Sequence, residues 1–437
     1  MNAIIVLSVF VIALILQVPV AFALGVSSVA YLMFFSKVPM TLAIQSLFTS
    51  CDSFPMLCVP FFVMAGEVML AGSLSQKLVD FFKYLMGSIK GKLGIICVIT
   101  SAFFAAISGS GAATVACIGG ILLPAMVKEG YDKSYSVSLA CCAGALGPVI
   151  PPSVPAIVYA VTAGESISTM FLSGFGAGLV LMVLLCLYNR YMAVKHGYGA
   201  EFHPELAEED KQNKRSFWTI FKDSIWAVLI PFIILGGIYG GVFSPTEAAI
   251  VATAYALIIS FFVYRSMKLK DLPKVLNKTV LTTGTIMILM GCASAFGRVL
   301  TMEQIPTTIA RSILSLTENK YLILLFINLF LLLVGMLMET SAAIVILVPI
   351  FLPIVKSLGV DPIHFGAIVV FNLAIGLCTP PVGLNLFVGS RIANVPIDRM
   401  MKHLIPQIGI MIVVLMLMTY CEPLALFLPK VLGGYTG

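Results

Sequence analysis

Four short segments place hydroxyl groups, glycines and paired prolines inside otherwise apolar sequence. The segments "ISGSGAA" and "METSAA" occupy 107–113 and 338–343, and "GPVIPPSVP" and "CTPPVGLN" occupy 147–155 and 378–385. Proline removes a helical hydrogen bond and glycine permits left-handed backbone, so these segments predict places where helices stop and restart. Free N–H groups at a helix start attract anions, and free carbonyls at a helix end suit cations.

These breaks predict two related cation sites, one in each half of the chain, with an anionic substrate between them. Unwound carbonyls joined by Ser, Thr or Asn oxygens suit Na⁺, and helix starts at Ser110 and Ser153 suit the anion. The candidate Na⁺ ligands are Ser108, Gly109, Ser110, Gly147, Ser153, Glu339, Thr340, Ser341, Thr379, Gly383 and Asn385. The candidate substrate contacts are Ser110, Gly111, Ser153, Pro151, Pro152, Pro380, Pro381 and Asn385.

The residue pattern supports neither an enzyme active site nor a transition-metal site. The sequence contains no HExxH or GxSxG motif, and its ten cysteines lie in apolar runs without metal spacing. Buried cysteine behaves as a small hydrophobe. We therefore expect no enzyme activity, no transition metal and no cofactor beyond Na⁺ as coupling ion. Few residues suit a proton relay, which favours Na⁺ over H⁺.

The composition is that of a membrane protein. Of the 437 residues, 60% are hydrophobic and 11% charged, whereas soluble domains carry about 25% charged residues. No Lys or Arg precedes the first apolar run, so this run predicts a retained helix and not a cleaved signal peptide. The net charge of +6 suits topology control at the lipid bilayer better than nucleic-acid binding.

The apolar segments predict an all-α polytopic membrane protein made of two repeats. A shift of 229 residues superimposes 110–160 on 339–389 with ten identities, including Gly147/Gly376 and both Pro-Pro pairs. The first repeat, 1–188, contains a re-entrant helical hairpin at about 93–127 and a Pro-broken helix at about 134–163. The second repeat, 224–437, contains a hairpin at about 321–355 and a broken helix at about 364–390. Single spans are expected at 53–72, 166–188, 224–242, 246–264, 279–297 and 404–428, and a polar cytoplasmic connector at 189–223.

Charge distribution predicts that the two repeats have inverted topology. With the N-terminus in the periplasm, twenty of the 26 basic residues lie on the cytoplasmic side, as the positive-inside rule requires. Inverted repeats with broken helices are the architecture of secondary transporters that bind substrate at the midplane. Amphipathic segments at 77–92 and 304–317 precede the two hairpins. They suggest a static scaffold and an elevator-type transport domain.

Several acidic residues allow two interpretations. Glu67 lies in an apolar helix, where a carboxylate is a functional candidate, but it is equally consistent with an ion pair near a helix end. Glu339 at a hairpin tip is as consistent with a hydrogen bond to backbone as with cation binding. Asp132 and Asp361 precede helix starts, where capping is the simpler explanation.

The chain resembles the large membrane subunit of the tripartite ATP-independent periplasmic (TRAP) transporters over essentially its whole length. The resemblance is most specific in "SGSGAATVACIGGILLPAMVKEGYDKSYS" at 108–136, in "GALGPVIPPSVPAIVYA" after it and in "GLCTPPVGLNLFVGSRIANV" at 376–395. It implies a multi-pass protein of the bacterial inner membrane that imports small carboxylates, such as C4-dicarboxylates or sialic acid, with Na⁺. It also implies a small four-helix membrane subunit and a periplasmic substrate-binding protein as partners.

Three alternatives remain at this point. A stand-alone sodium–carboxylate symporter shares the inverted hairpin design but needs no binding protein. An intramembrane enzyme would require a nucleophile–base pair or metal ligands in the membrane. A channel would require an open path through the protein, whereas the four segments predict occluded breaks.

Overall fold

The all-α prediction is confirmed for the part of the chain that the structure describes. The computed structural model describes residues 2–87, 89–199, 217–317 and 319–436, and every regular element in these ranges is helical. Nine helices within them are long and apolar enough to cross a membrane. The chain is therefore a multi-pass membrane protein.

Ten helices, α1 to α10, precede the polar connector. Two of them, α6 and α7, form the first hairpin, and α8 and α9 are the two parts of the first broken helix. Their bounds are Asn2–Ile15, Val20–Phe34, Thr41–Cys51, Cys58–Ala71, Leu74–Leu85, Lys92–Ser108, Gly111–Lys128, Lys133–Gly144, Val154–Ala163 and Ile167–His196.

Ten further helices, α11 to α20, follow the connector. The second hairpin consists of α15 and α16, and the second broken helix of α17 and α18. Their bounds are Phe217–Tyr239, Pro245–Ile258, Leu272–Met302, Ile305–Leu316, Lys320–Gly335, Thr340–Ser357, Pro362–Gly376, Leu384–Ala393, Ile397–Tyr420 and Pro423–Leu432. The order hairpin, broken helix, long helix thus occurs once in each half.

Three sequence-based expectations differ from the structure in detail. The short helix α3 was not predicted, because its polar residues interrupt the apolar pattern. The segment 404–428 is not one span, since α19 ends at Tyr420 and Pro423 starts α20. Helices α10 and α11 extend into the predicted connector from both sides, and 200–216 lies outside the described residues.

The hairpins and broken helices of the two halves pack on one another crosswise. Helix α9, which follows the first break, packs on α16 of the second hairpin. Helix α18, which follows the second break, packs on α7 and α8. The long helices repeat this exchange, because α10 contacts α17 and α19 contacts α8. These elements of both halves therefore form one packed unit.

A second group of helices packs around α13. This 31-residue helix contacts α2, α3 and α4, and α4 packs closely on α12. The amphipathic helix α5 lies between this group and the first hairpin, because it contacts α4 of the group and α6 of the hairpin. It buries Leu74, Leu78 and Phe82, which share one face at helical spacing.

Candidate functional site

The first hairpin turns at Gly109, where the backbone is left-handed with φ of 59°. Ser110 follows in an extended conformation, and its Oγ accepts a hydrogen bond from the Ala113 amide at 3.5 Å, which caps α7. The hydroxyls of Ser108 and Thr114 lie 3.3 Å apart across the turn. A neutral side chain therefore caps this helix start, and the partial positive charge of its N-terminus is retained.

The first hairpin turn lies directly against the first Pro-Pro break. A Cβ atom added at Gly109 would lie 2.8 Å from the Pro152 carbonyl oxygen, and one added at Gly147 would lie 2.6 Å from the Gly111 amide nitrogen. Real Cβ atoms do not approach backbone this closely, so the contact requires glycine at both positions. The backbone of the first hairpin turn is therefore in direct contact with the backbone of the first break.

Ser153 starts the second part of the first broken helix. Its Oγ accepts a hydrogen bond from the Ala156 amide at 3.1 Å and donates one to the Pro148 carbonyl across the break. The Pro151–Pro152 bond is cis, and residues 145–159 are all buried. The predicted residues Ser108, Gly109, Ser110, Gly147 and Ser153 therefore belong to one enclosed cluster.

Asn385 links this first cluster to the second half of the chain. Its side chain is fully buried, and its Nδ2 donates to the Cys141 carbonyl of α8 at 3.2 Å. A Cβ atom at Gly111 would lie 2.9 Å from its Oδ1, which has no hydrogen-bond partner. The sequence grouped Asn385 with the second-half ligands, whereas the structure places it against the first hairpin.

The second hairpin carries a charged cap. Glu339 starts α16, and its carboxylate accepts hydrogen bonds from the Ser341 amide at 2.9 Å and the Ala342 amide at 3.1 Å. The Ser341 hydroxyl also donates to it at 3.1 Å. The backbone hydrogen bond that the sequence allowed for Glu339 is therefore present. The neighbouring Thr340 hydroxyl is buried and has no hydrogen-bond partner.

The second break packs on the arm that precedes its hairpin turn. A Cβ atom at Gly376 would lie 2.3 Å from the carbonyl carbon of Gly335, and the Gly383 amide donates to the Met336 carbonyl at 3.4 Å. The Thr379 hydroxyl donates to the Ile375 carbonyl at 2.8 Å. This break is more open than the first: its Pro–Pro bond is also cis, but Pro381 is exposed.

Three residues of the first cluster were not among the sequence-based candidates. Cys141 and Cys378 are buried and connect the two broken helices, since the Cys378 thiol donates to the Cys141 carbonyl at 3.0 Å. A Cβ atom at Gly144 would lie 3.1 Å from the Gly111 carbonyl oxygen and 2.3 Å from a Val115 methyl. Gly144 begins the "GALG" run, and its glycines could have indicated a close helix contact. Nothing in the sequence indicates that Cys141 and Cys378 lie close together.

The remaining acidic candidates have partners away from this cluster. Glu67 lies 3.4 Å from the ammonium of Lys278 in an ion pair. Asp132 caps α8 through the Tyr135 amide at 2.8 Å, and Asp361 caps α17 through the Ile363 and His364 amides at 2.8 and 3.0 Å. The capping interpretation of both aspartates is confirmed. Within the described ranges, no group of three His, Cys, Asp or Glu side chains is arranged to hold a metal ion.

Comparison with known proteins identifies relatives of the whole chain. Residues 7–424 match the family model of the tripartite ATP-independent periplasmic transporter, DctM component. The chain is 39% identical over 412 residues to the C4-dicarboxylate TRAP transporter large permease protein of Pseudomonas aeruginosa, covering 94% of each chain. It is 32% identical to the sialic acid TRAP transporter large permease protein of Vibrio cholerae, covering 95% of this chain and 96% of that one.

A further relative is longer than this chain. The isethionate TRAP transporter permease protein of Oleidesulfovibrio alaskensis is 43% identical over 418 residues, which are 96% of this chain and 65% of that protein. Among solved structures, the YdaH transporter of Alcanivorax borkumensis matches with a TM-score of 0.63 at 15% identity, over 95% of this chain and 98% of that one. This likeness concerns the fold alone. The family match and the relatives that align end to end show that this chain belongs to the DctM family, the large permease component of the TRAP transporters.

Proposed function

We propose that this chain is the Na⁺-coupled permease of a TRAP transporter that imports a small organic acid. Its relatives are named for C4-dicarboxylates, sialic acid and isethionate, all of which are small organic anions. In this proposal a periplasmic substrate-binding protein delivers the anion, and a small four-helix subunit accompanies the chain in the bacterial inner membrane. The N-terminus faces the periplasm, and the positive-inside rule supports this orientation.

The substrate anion binds between the two breaks in this proposal. The starts of α7 and α9 are capped by Ser110 and Ser153, so each N-terminus contributes about half a positive charge that no carboxylate cancels. Gly111, Pro151 and Pro152 belong to the same cluster, and the second break contributes Pro380, Pro381 and Asn385. The exposure of Pro381 supports an entry path from the second break.

The Na⁺ assignment rests on one buried oxygen without a hydrogen-bond partner near each hairpin turn, Asn385 Oδ1 against the first and Thr340 Oγ1 in the second. The first site would consist of Ser108, Gly109, Ser110, Gly147 and Ser153, with Asn385 adjoining it from the other half. The second site would consist of Glu339, Thr340, Ser341, Thr379 and Gly383. Burying a polar atom without a partner costs free energy, and a bound cation would recover it. The buried, unpartnered Oδ1 of Asn385 against Gly111 is the observation that carries this assignment.

The crosswise packing supports an elevator mechanism. Hairpins and broken helices of both halves interlock through α9 with α16 and through α18 with α8, so they would move as one body. The helices around α13 would remain as the scaffold. Inverted topology of the two repeats would let the same body open alternately to either side.

Reconstitution tests the proposal directly. The chain and its small subunit are placed in liposomes, and uptake of labelled succinate, sialic acid or isethionate is measured with and without an inward Na⁺ gradient. We expect uptake of one probe that requires both Na⁺ and a periplasmic binding protein encoded near the gene. Uptake of free substrate without any binding protein would instead establish the stand-alone symporter.

The variant Asn385→Ala tests the site. We expect it to lower Na⁺-dependent uptake at least tenfold and to abolish the increase in melting temperature that Na⁺ gives the purified wild-type protein. Asn189→Ala is the control, because Asn189 is also fully buried but accepts from the Tyr135 hydroxyl and donates to the Gly91 carbonyl, away from both breaks. Equal Na⁺ stabilisation in wild type and Asn385→Ala would remove Asn385 from the cation sites.

A further inference from the structure

A large cavity lies apart from the candidate site, between the α13 group and the interlocked unit. Its volume is about 830 Å³, and α3, α9, α13 and α16 contribute its walls. Its polar lining includes Thr49, Ser53, Thr162, Ser294, Arg298 and Thr301. None of the candidate Na⁺ or substrate residues is among them.

Two hydroxyl groups of this cavity are free to donate a hydrogen bond to a ligand. The hydroxyls of Thr49, Thr162 and Thr301 donate to carbonyls of their own helices. Ser53 Oγ is instead buried without a partner, and the half-buried Ser294 makes no hydrogen bond within the described residues. An unsatisfied buried hydroxyl is costly unless a ligand or water satisfies it.

Arg298 supplies the charge of the cavity. It follows Ser294 by four positions on α13, so both side chains project from the same face of the helix. It is exposed and forms no ion pair with an acidic side chain that the structure describes, and no such acid lines the cavity. The nearby Glu303 is engaged as acceptor of the Tyr31 hydroxyl. The planar guanidinium is suited to bidentate binding of a carboxylate or sulfonate.

We propose that Arg298, Ser294 and Ser53 form a docking site for a small organic anion, in which the substrate is held before it reaches the breaks. Only the identity of this anion as the transported substrate rests on the proposed function. In the proposed orientation, Arg298 lies towards the periplasmic end of α13. An anion released there contacts α13 on one side and α9 and α16 of the moving body on the other.

Charge-selective modification tests the docking site without transport. Ser294→Cys is reacted in detergent, without added phospholipid, with the anionic reagent 2-sulfonatoethyl methanethiosulfonate and the cationic reagent 2-(trimethylammonium)ethyl methanethiosulfonate. Peptide mass spectrometry reads position 294 separately from the native cysteines. We expect Arg298→Gln to lower the ratio of anionic to cationic rates at least fivefold, and Arg311→Gln, an exposed arginine outside the cavity, to leave it unchanged.

Protection identifies the ligand. Millimolar succinate or isethionate should slow modification of Ser294→Cys severalfold when Arg298 is present and not in Arg298→Gln. An unchanged rate ratio in Arg298→Gln, or protection that appears only on addition of phosphatidylglycerol, would overturn the proposal in favour of a solvated arginine or a lipid headgroup site. If uptake in liposomes shows no Na⁺ dependence while protection persists, the proposed coupling fails and the anion site stands.

The KM and the maximal rate of uptake distinguish docking of the substrate from its translocation at the breaks. Arg298→Gln should raise the KM for delivered substrate at least threefold with little change in maximal rate, and Arg298→Lys should restore part of the affinity. A lowered maximal rate with unchanged KM would contradict a docking role, because it would show that Arg298 acts during translocation.

Discussion

The two hairpin tips differ in the charge that caps the following helix. Ser110 caps α7 with a neutral hydroxyl, whereas Glu339 caps α16 with a carboxylate that accepts three hydrogen bonds. A carboxylate cancels the partial positive charge of a helix N-terminus, and a hydroxyl does not. The first tip therefore retains a partial positive charge that favours the substrate anion beside its proposed Na⁺ site, whereas the carboxylate of the second tip favours a cation, although both tips arise at corresponding positions of the chain.

The breaks differ as well, in what encloses them. The first is buried throughout 145–159 and is held by Asn385 from the other half. The second leaves Pro381 exposed and packs on the arm before its hairpin turn. The two Pro-Pro segments thus form one closed and one more open break, because their packing partners are not the same.

The glycine contacts give the largest expected effect. Gly147→Ala would place a Cβ atom 2.6 Å from the Gly111 amide nitrogen, and Gly376→Ala would place one 2.3 Å from the Gly335 carbonyl carbon. We therefore expect uptake per folded protein to fall at least tenfold in both variants. Overpacking of this kind costs about 1–3 kcal/mol, which should also lower the melting temperature. Gly120→Ala is the control, since nothing lies within 4 Å of its added Cβ. Full uptake by Gly376→Ala would mean that only the first break needs its close contact.

Removing the charge difference between the hairpins should have an intermediate effect. Glu339→Gln keeps most of the cap but removes the negative charge, worth about 0.3–2 kcal/mol at a helix end, so the half-saturating Na⁺ concentration should rise severalfold. Ser110→Ala should raise the substrate KM as well as the Na⁺ requirement. Na⁺ titration of uptake at several substrate concentrations measures both.

Ser166→Ala is the matched control for the Ser110 variant. Ser166 caps α10 through the Thr169 amide at 3.4 Å, away from the breaks, so only stability should fall. Identical Na⁺ curves for Glu339→Gln and wild type would show that the charged cap is structural and that its negative charge does not favour Na⁺ at the second tip.

The aspartate caps give the smallest expected effect. Asp132→Ala and Asp361→Ala should each cost about 1 kcal/mol of stability through a lost cap, with unchanged Na⁺ activation. Asp361→Ala should cost slightly more, because Asp361 also accepts the Tyr435 hydroxyl at 2.8 Å. Thermal unfolding in detergent compares them, with Asp132→Asn and Asp361→Asn as controls that retain a capping oxygen. A change in Na⁺ activation in either alanine variant would contradict a purely structural role.

The sequence by itself determined the class, the family and the positions of both hairpin turns and both Pro-Pro breaks along the chain. Apolar length, proline pairs and the offset of 229 residues are local or additive signals, so they predict two hairpins, two broken helices and the capping aspartates without knowledge of packing. The family followed from motifs that extend over nearly the whole chain. Short helices with polar residues, such as α3, were not predicted, because no regular spacing of apolar residues marks them.

Only the tertiary structure decided which breaks meet. Three contacts join residues more than 200 positions apart: Asn385 lies against Gly111, the Cys378 thiol donates a hydrogen bond to the Cys141 carbonyl, and Arg298 shares a cavity with Ser53. Such contacts leave no periodic mark in the sequence, because they are set by the crosswise packing of whole helices. For the same physical reason, Glu67 became a partner of Lys278 and not part of the site.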